Sequence, residues 1–183
     1  MKRIIETQHL LSGGIFDVER AAWTLEGGQR VERTVVRHPG AVTIVPVLDD
    51  GSVVLIRNAR IAVNARLWEL PAGKLETGEL PVETARRELS EETGYACAQL
   101  VPLGTFFTSP GFCDEVMHCF LAEGLRAGEA HPEPGEDLIV ETVGLERLWS
   151  MVDDGTLIDG KTMAALLLWQ RRLARLSHAE ASC

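Results

Sequence analysis

The 183-residue chain is 45% hydrophobic and 25% charged, which suits one compact globular domain with a buried core. Its formal net charge of −9 argues against a nucleic-acid-binding surface, since such surfaces are basic, although a carboxylate cluster for metal ions would contribute to that charge. No apolar run reaches the ~20 residues that cross a bilayer, and the N-terminus becomes polar at Glu6, too early for a signal peptide. We therefore expect a cytoplasmic protein with no nucleic-acid or membrane partner.

The chain contains no repeat, low-complexity tract or linker, so we predict a single domain over residues 1–183. Its four cysteines form no C-x-x-C pair, and this spacing argues against a zinc site. We interpret Cys97, Cys113 and Cys119 as core thiols and Cys183 as a terminal residue without a structural role.

The N-terminal part predicts short antiparallel strands separated by the glycine pairs at 13–14 and 27–28. The turn Asp49-Asp50-Gly51 between two β-branched runs predicts a hairpin. Farther along, Ser109-Pro110-Gly111 marks a break between two strands. The predicted strands cover residues 4–11, 15–25, 30–37, 41–47, 52–56, 97–107, 116–122 and 138–143.

Three helices are predicted among these strands, over 81–93, 145–152 and 161–176. The first has proline in its first turn and Gly94 at the C-terminal cap, but Leu80 stands where a side-chain cap is preferred. The last carries an apolar stripe at helical spacing, which predicts packing against a core; it consists of Leu166, Trp169, Leu173 and Leu176. Strands interleaved with a few helices favour an α+β or layered α/β/α domain.

The first helix is the informative segment for chemistry. Glu88 shares a helix face with Glu91 and Glu92, because residues three and four apart are neighbours. Crowded carboxylates repel one another unless cations neutralise them, and Mg²⁺ prefers oxygen ligands. The preceding Pro71-Ala72-Gly73 loop can add a main-chain carbonyl. The pattern is also typical of a solvated face with Arg–Glu pairs, so the helix alone leaves both interpretations open.

The longer pattern resembles a known signature. Gly73 and Glu79 precede the run Arg87-Glu88-Leu89, which is followed by Glu91-Glu92, Gly94 and the apolar Tyr95, and this matches the Nudix box at every fixed position. The resemblance implies an α/β/α sandwich with a mixed sheet. It also implies metal-assisted hydrolysis of a nucleoside diphosphate linked to another group, with Mg²⁺ or Mn²⁺ as cofactor.

Three further features are similar to the ADP-ribose pyrophosphatase branch of that family. The box is entered through Trp68-Glu69-Leu70-Pro71, and Pro110 follows the box at the spacing that marks the branch. The N-terminal strands over 1–39 resemble an antiparallel sheet extension that forms homodimers, beside a catalytic core over 40–178. The resemblance thus implies ADP-ribose as substrate. GDP-mannose or another nucleoside diphosphate compound is the alternative, and a nucleotide-sensing module without turnover or a purely structural acidic-helix protein are rivals from other classes.

The resemblance assigns roles to individual residues. Glu88, Glu92 and the Ala72 carbonyl are the expected metal ligands, Glu91 is a secondary ligand, and Arg87 orients the carboxylates. The general base is expected in the acidic loop 129–137, first Glu136 and then Glu133, although Pro134 interrupts the usual acidic pattern. Candidate substrate contacts are Arg60, Arg57, Glu69, Pro110, Gly111, Glu115, Phe16 and Trp23, the last two as stacking surfaces for a base.

Overall fold

The computed structural model describes residues 4–131 and 137–180, which form three β-sheets and three α-helices. No helix within these ranges is long and apolar enough to span a membrane. The elements are β1 (Ile4–Gly13), β2 (Phe16–Thr24), β3 (Arg30–Arg37), β4 (Ala41–Pro46), β5 (Val53–Arg60), β6 (Ala65–Glu69), β7 (Ala72–Lys74), α1 (Pro81–Thr93), β8 (Tyr95–Phe107), β9 (Val116–Ala127), β10 (Leu138–Val143), α2 (Leu145–Asp153) and α3 (Gly160–Glu180).

The N-terminal strands form a separate antiparallel sheet in the order β1-β2-β3. Backbone hydrogen bonds join its last strand to the segment before β9: Val36 N–H donates to the Phe112 carbonyl at 2.7 Å, and Asp114 N–H donates to the Val36 carbonyl at 3.2 Å. The Arg37 guanidinium also pairs with the Asp114 carboxylate at 3.0 Å. The predicted N-terminal sheet extension is therefore confirmed, and it is tied to the rest of the domain.

The central sheet has the order β7-β4-β9-β8 and is mixed, because β4 runs parallel to β9 while the other pairs are antiparallel. Strand β4 is buried along its whole length, as expected for a strand covered on both faces. Val42 and Ile44 pack with Leu89 of α1, whereas Val45 packs with Trp169 of α3. Helices thus cover both faces of this sheet, which confirms the predicted α/β/α sandwich.

Two short strands, β6 and β7, were not expected from the sequence. Strand β6 pairs antiparallel with β5, and a 3₁₀ turn (Ile61–Val63) joins them. The turn ends at Asn64, whose φ of 51° lies in the left-handed region. Strand β7 has three residues and pairs with the start of β4. Residues 65–74 lack the alternation of a half-buried strand, so their conformation is decided by pairing, of β6 with its sequence neighbour β5 and of β7 with the distant β4.

Helix α3 departs from the prediction that its apolar stripe packs against the core throughout. Leu166 and Trp169 are buried, but Leu173 and Leu176 remain 44% and 48% exposed. Helix α3 continues to Glu180, beyond the predicted end at 176. The packing prediction therefore holds for the first half of the stripe and is wrong for the second.

The cysteines of the described chain are free thiols. Cys119 is buried, and this burial raises the pKa of its thiol to about 12, so it stays protonated and unreactive. Cys97 and Cys113 are only half-buried. The expectation of three core thiols is therefore confirmed for Cys119, which lies in the core, and in part for Cys97, which packs against the core around Leu89, but it is wrong for Cys113.

Candidate functional site

Helix α1 is fixed at both ends by its neighbours. At the N-terminus, Leu80 N–H donates to a carboxylate oxygen of Glu83 at 3.1 Å, so Glu83 satisfies the backbone of the capping residue, although Leu80 offers no side-chain acceptor. At the C-terminus, Gly94 has a φ of 74°, and an added Cβ would lie 2.8 Å from the backbone nitrogen of Ala130. A glycine is required there for conformation and for space.

Two carboxylates of α1 are buried against strand β7. Glu88 is 8% exposed and Glu92 is 2% exposed. The Ala72 N–H donates to Glu92 Oε2 at 2.8 Å. The Glu88 carboxyl group lies over Gly73, where an added Cβ would stand 2.0 Å from the carboxyl carbon. The conformation of β7 and the missing side chain at Gly73 thus make room for both acids.

Arg87 contacts three carboxylates of this region, one of which is Glu88. Its guanidinium holds Glu79 through two bonds of 3.1 Å, and it reaches Glu88 at 2.7 Å and Glu91 at 2.9 Å. These hydrogen bonds raise the pKa of Arg87, so the side chain stays charged. This geometry is compatible with the orienting role expected for Arg87.

The contribution of Glu79 to stability should depend on pH, because the hydrogen bonds from Arg87 lower the pKa of the Glu79 carboxyl group to about 2. A folded-state pKa below the unfolded value contributes stability that is present above the unfolded pKa and lost as the pH falls through the folded pKa. For Glu79→Gln we expect a lower free energy of unfolding at pH 7. The difference from wild type should shrink as the pH falls from 4.5 towards 2. Denaturant unfolding of both proteins across this range is the measurement, and a pH-independent difference would contradict it.

The acidic residues around α1 offer oxygen ligands of the kind that a divalent cation prefers. Within 4–131 and 137–180, no three His, Cys, Asp or Glu side chains are already arranged around a common ion position. In this arrangement Arg87 forms ion pairs with Glu88 and Glu91. The donor set is nevertheless all oxygen, and the Glu88 carboxyl group occupies the space that a side chain at position 73 would fill. Arg87 binds only Oε1 of Glu88 and Oε2 of Glu91, so the residues fit a hard divalent cation through their other carboxylate oxygens.

A cavity of about 730 Å³ opens beside these acids, a size typical of small-molecule sites. Four sequence-predicted residues line it: Arg60, Ala72, Glu88 and Glu115. The structure therefore brings together residues from β5, β7, α1 and the segment before β9. Other lining residues, which the sequence did not point to, include His38, Lys74, Phe106, Phe107, Thr108, Asp159 and Lys161.

Two other residues predicted to contact the substrate, Arg57 and Trp23, pair with other side chains. Arg57 pairs with Glu141 at 3.4 Å and lies over the ring of Trp68 at 5.3 Å. Trp23 carries Arg33 over its ring at 5.9 Å. Neither Arg57 nor Trp23 is among the described residues that line the cavity.

Phe16 lines a second, smaller cavity of about 370 Å³. Ile15 and His38 line both cavities, so the two are neighbours. Pro110 and Gly111 lie in the turn before β9 and are absent from the described walls of both cavities. The two candidates for the general base, Glu133 and Glu136, lie outside the described residues.

Glu69 lies behind the wall rather than on it, with 1% exposure. Arg60 donates to both of its oxygens, at 2.8 and 2.7 Å, and these hydrogen bonds raise the pKa of Arg60. Lys161 Nζ contacts the same carboxylate. Sequence reasoning missed Lys161 because its partner Glu69 lies far away along the chain, and no local pattern marks either residue as half of a pair.

Comparisons with known proteins agree with this geometry. A family model described as NUDIX domain matches residues 37–166. The ADP-ribose pyrophosphatase of Bacillus subtilis (strain 168) is 39% identical over 175 residues, which cover 94% of this chain and 95% of that protein. The methanol dehydrogenase activator of Bacillus methanolicus is 36% identical over 167 residues, 90% of each chain. The GDP-mannose pyrophosphatase of Enterobacter sp. (strain 638) is 30% identical over 174 residues, 86% of this chain and 89% of that one.

A similar fold occurs in a solved structure, the crystal structure of an ADP compounds hydrolase. Its TM-score is 0.81 at 24% sequence identity, and the match covers 96% of this chain and 95% of the other. The similarity extends over the N-terminal sheet as well as the sandwich, because so little of either chain is left out.

Proposed function

Because this chain belongs to the Nudix family and is a pyrophosphohydrolase of that family, we propose that its substrate is ADP-ribose, which it cleaves to AMP and ribose 5-phosphate. Support for a nucleoside diphosphate sugar comes from relatives named for ADP-ribose and for GDP-mannose. ADP-ribose is preferred because the relative named for it is 39% identical, against 30% for the one named for GDP-mannose.

One observation carries the proposal. Glu88 and Glu92 are buried side by side against β7, and Glu88 also lines the 730 Å³ cavity. Carboxylate oxygens are the ligands that a hard divalent cation prefers. Such a cation would also attract the anionic diphosphate of a substrate to the cavity beside Glu88.

Hydrolases of this family depend on a divalent cation, and for this chain we propose Mg²⁺ or Mn²⁺. Glu88, Glu92 and the Ala72 carbonyl would hold it, with Glu91 as a secondary ligand. When bound, such a cation supplies Lewis-acid polarisation of a phosphoryl oxygen and favours a water nucleophile. Arg87 holds Glu88 and Glu91 in place through the hydrogen bonds already described.

In the reaction, the oxygen of water forms a bond to one phosphorus while the bond between that phosphorus and the bridging oxygen breaks. The proton of the water passes to a general base, which we propose is Glu136 or, second, Glu133. A contact at the start of their loop supports this assignment, and an ion pair fixes its other end. His131 N–H donates to the Glu91 carbonyl at 2.9 Å, and Asp137 forms an ion pair with Arg66. The loop thus starts beside the acidic helix.

Substrate contacts are proposed for the residues that line the cavity. Arg60 offers a guanidinium, which matches phosphate oxygens in geometry and charge. Glu115 accepts a hydrogen bond from the Thr108 hydroxyl at 2.5 Å and suits a ribose hydroxyl. Phe16, in the adjoining smaller cavity, is a stacking surface for the base.

GDP-mannose hydrolysis is the second candidate, because a relative of that name aligns with 86% of this chain. A nucleotide-sensing module without turnover is disfavoured, since Glu88, Glu91 and Glu92 are all present. A purely structural acidic helix would not require the close approach of Glu88 to Gly73.

A substrate panel tests the proposal. Purified protein with Mg²⁺ is incubated with ADP-ribose, GDP-mannose, diadenosine polyphosphates and NADH, and products are resolved by chromatography. We expect AMP from ADP-ribose at the highest kcat/KM and loss of turnover on chelation. Faster cleavage of another compound would reassign the substrate, and no turnover of any would contradict the enzymatic proposal.

We also propose a homodimer formed through the N-terminal sheet. Strand β1 exposes Ile5 and Leu11 to 57% and 59%, a high exposure for large apolar side chains. Sedimentation equilibrium should give twice the 20.1 kDa chain mass, and a mass of one chain would contradict the dimer.

A further inference from the structure

Glu69 forms the centre of a buried ionic cluster behind the cavity. Its side chain is 1% exposed at the end of β6, and a carboxylate at such a position needs charged hydrogen-bond partners. Arg60 supplies two, with Nε at 2.8 Å and Nη2 at 2.7 Å from separate oxygens. Lys161, in the first turn of α3, contacts the oxygen shared with Nη2. The Glu69 carboxylate therefore binds two positively charged side chains, those of Arg60 and Lys161.

A second layer of contacts holds the cluster rigid. Asp159 Oδ2 lies 3.0 Å from Lys161 Nζ and accepts hydrogen bonds from the Thr162 N–H at 3.0 Å and hydroxyl at 2.6 Å. The Thr162 hydroxyl oxygen in turn accepts from Leu70 N–H at 2.9 Å. Strand β6 and the first turn of α3 are thereby locked together, although Glu69 and Lys161 are 92 residues apart in sequence.

The formal charges of this cluster cancel. Arg60 and Lys161 are opposed by Glu69 and Asp159, so the four side chains add no net positive charge beside the cavity. Attraction of an anion over distance depends on net charge. Short-range binding by a guanidinium depends instead on the orientation of its planar fork. The cluster therefore contributes little to long-range attraction of an anion, but it fixes the orientation of the Arg60 guanidinium.

We infer that Glu69 is a positioning residue that holds Arg60 and Lys161 side by side at the cavity wall, so that Arg60 meets a phosphoryl oxygen with its orientation already set. The two Arg60 donors used by Glu69 leave its other N–H groups for the substrate. This inference rests on the proposed function only in requiring a diphosphate substrate. It also gives Glu69 a role other than the direct contact expected from the sequence.

A double-mutant cycle tests the inference with whichever diphosphate substrate the wild type cleaves best. We expect Glu69→Gln, which keeps the side-chain length, to lower kcat/KM by about 10²-fold. Arg60→Ala should show a similar loss, and the double variant should be no worse than Arg60→Ala alone, because Glu69 acts through Arg60. Losses that multiply in the double variant would overturn the inference, since a merely structural effect is independent of Arg60.

Arg60→Lys covers the case in which Glu69→Gln does not fold. The Arg60 side chain is 43% exposed, so the fold should tolerate lysine, which keeps the charge but lacks the planar fork. We expect its kcat/KM to fall nearly as far as that of Arg60→Ala. Wild-type kcat/KM in Arg60→Lys would show that a fixed fork is not needed and would overturn the inference.

Asp154→Asn is the matched control, because it removes a carboxylate from an exposed ion pair at the C-terminal end of α2, where Asp154 lies 3.4 Å from Arg147. Its kcat/KM should equal that of wild type.

The positioning role of Glu69 and the proposed hydrolase function fail in different ways. A wild type that cleaves no diphosphate overturns both, whereas an active wild type matched by Glu69→Gln overturns the positioning role alone.

Discussion

Replacement of Glu92 by glutamine is expected to lower kcat for ADP-ribose by about 10³-fold, while the protein still folds. Glu92 is 2% exposed, and its Oε2 accepts a hydrogen bond from Ala72 N–H at 2.8 Å. The glutamine amide oxygen can accept the same bond, so the helix stays in place against β7. What the variant loses is the negative charge that would hold a divalent cation, whose contribution to the barrier is several kcal/mol.

Three measurements check this result. Steady-state kinetics with Mg²⁺ gives kcat, thermal melting followed by circular dichroism reports the fold, and calorimetry gives the Mn²⁺ affinity, which should weaken. Glu123→Gln is the control, because it makes the same chemical change at an exposed position of β9. If Glu92→Gln retained wild-type kcat and Mn²⁺ affinity, Glu92 would not be a metal ligand.

The second large effect is expected for Gly73→Ala, which we predict lowers kcat/KM by about 10²-fold. The backbone of Gly73 does not have a positive φ, so alanine meets no conformational barrier. The cost is steric, since the new Cβ would stand 2.0 Å from the Glu88 carboxyl carbon and 2.0 Å from its Oε1. The carboxylate must move, and an error of about 1 Å in the position of a catalytic group is enough for a loss of this size.

Gly144→Ala provides the comparison, because no heavy atom lies within 4 Å of an added Cβ there and φ is −66°. Its activity and melting temperature should stay close to wild type. Unchanged kcat/KM in Gly73→Ala would mean that Glu88 does not need its observed position, and the metal site would have to lie elsewhere.

The acidic helix was predictable from the sequence because its determinants are local. Helical periodicity alone puts Glu88 beside Glu91 and Glu92, and Gly94 ends the helix where a left-handed residue is needed. The Nudix resemblance then gave the α/β/α sandwich, and the fold agrees. The sequence had no means of showing that Arg87 binds two of these acids at once, because side-chain rotamers depend on packing.

The rest of the site depends on contacts between distant segments. Lys161 and Glu69 meet only because α3 and β6 pack together, and neither residue has a neighbour in sequence that predicts the other. His38 reaches the cavity from the end of the N-terminal region for the same reason. Strand β7 has three residues, too few for any period to be read, so its pairing with β4 was not foreseen.

The hydrogen bonds between Val36 and the 109–115 segment have a consequence for shortened versions of the protein. A truncation that began at residue 40 would keep every acid of the helix, yet it would strip Ile15 and His38 from the cavity lining. It would also leave the backbone groups of Phe112 and Asp114 without their partners on β3. The N-terminal sheet is thus a structural support for the cavity, and a fragment that began at residue 37, where the family-model match begins, would lack part of that support.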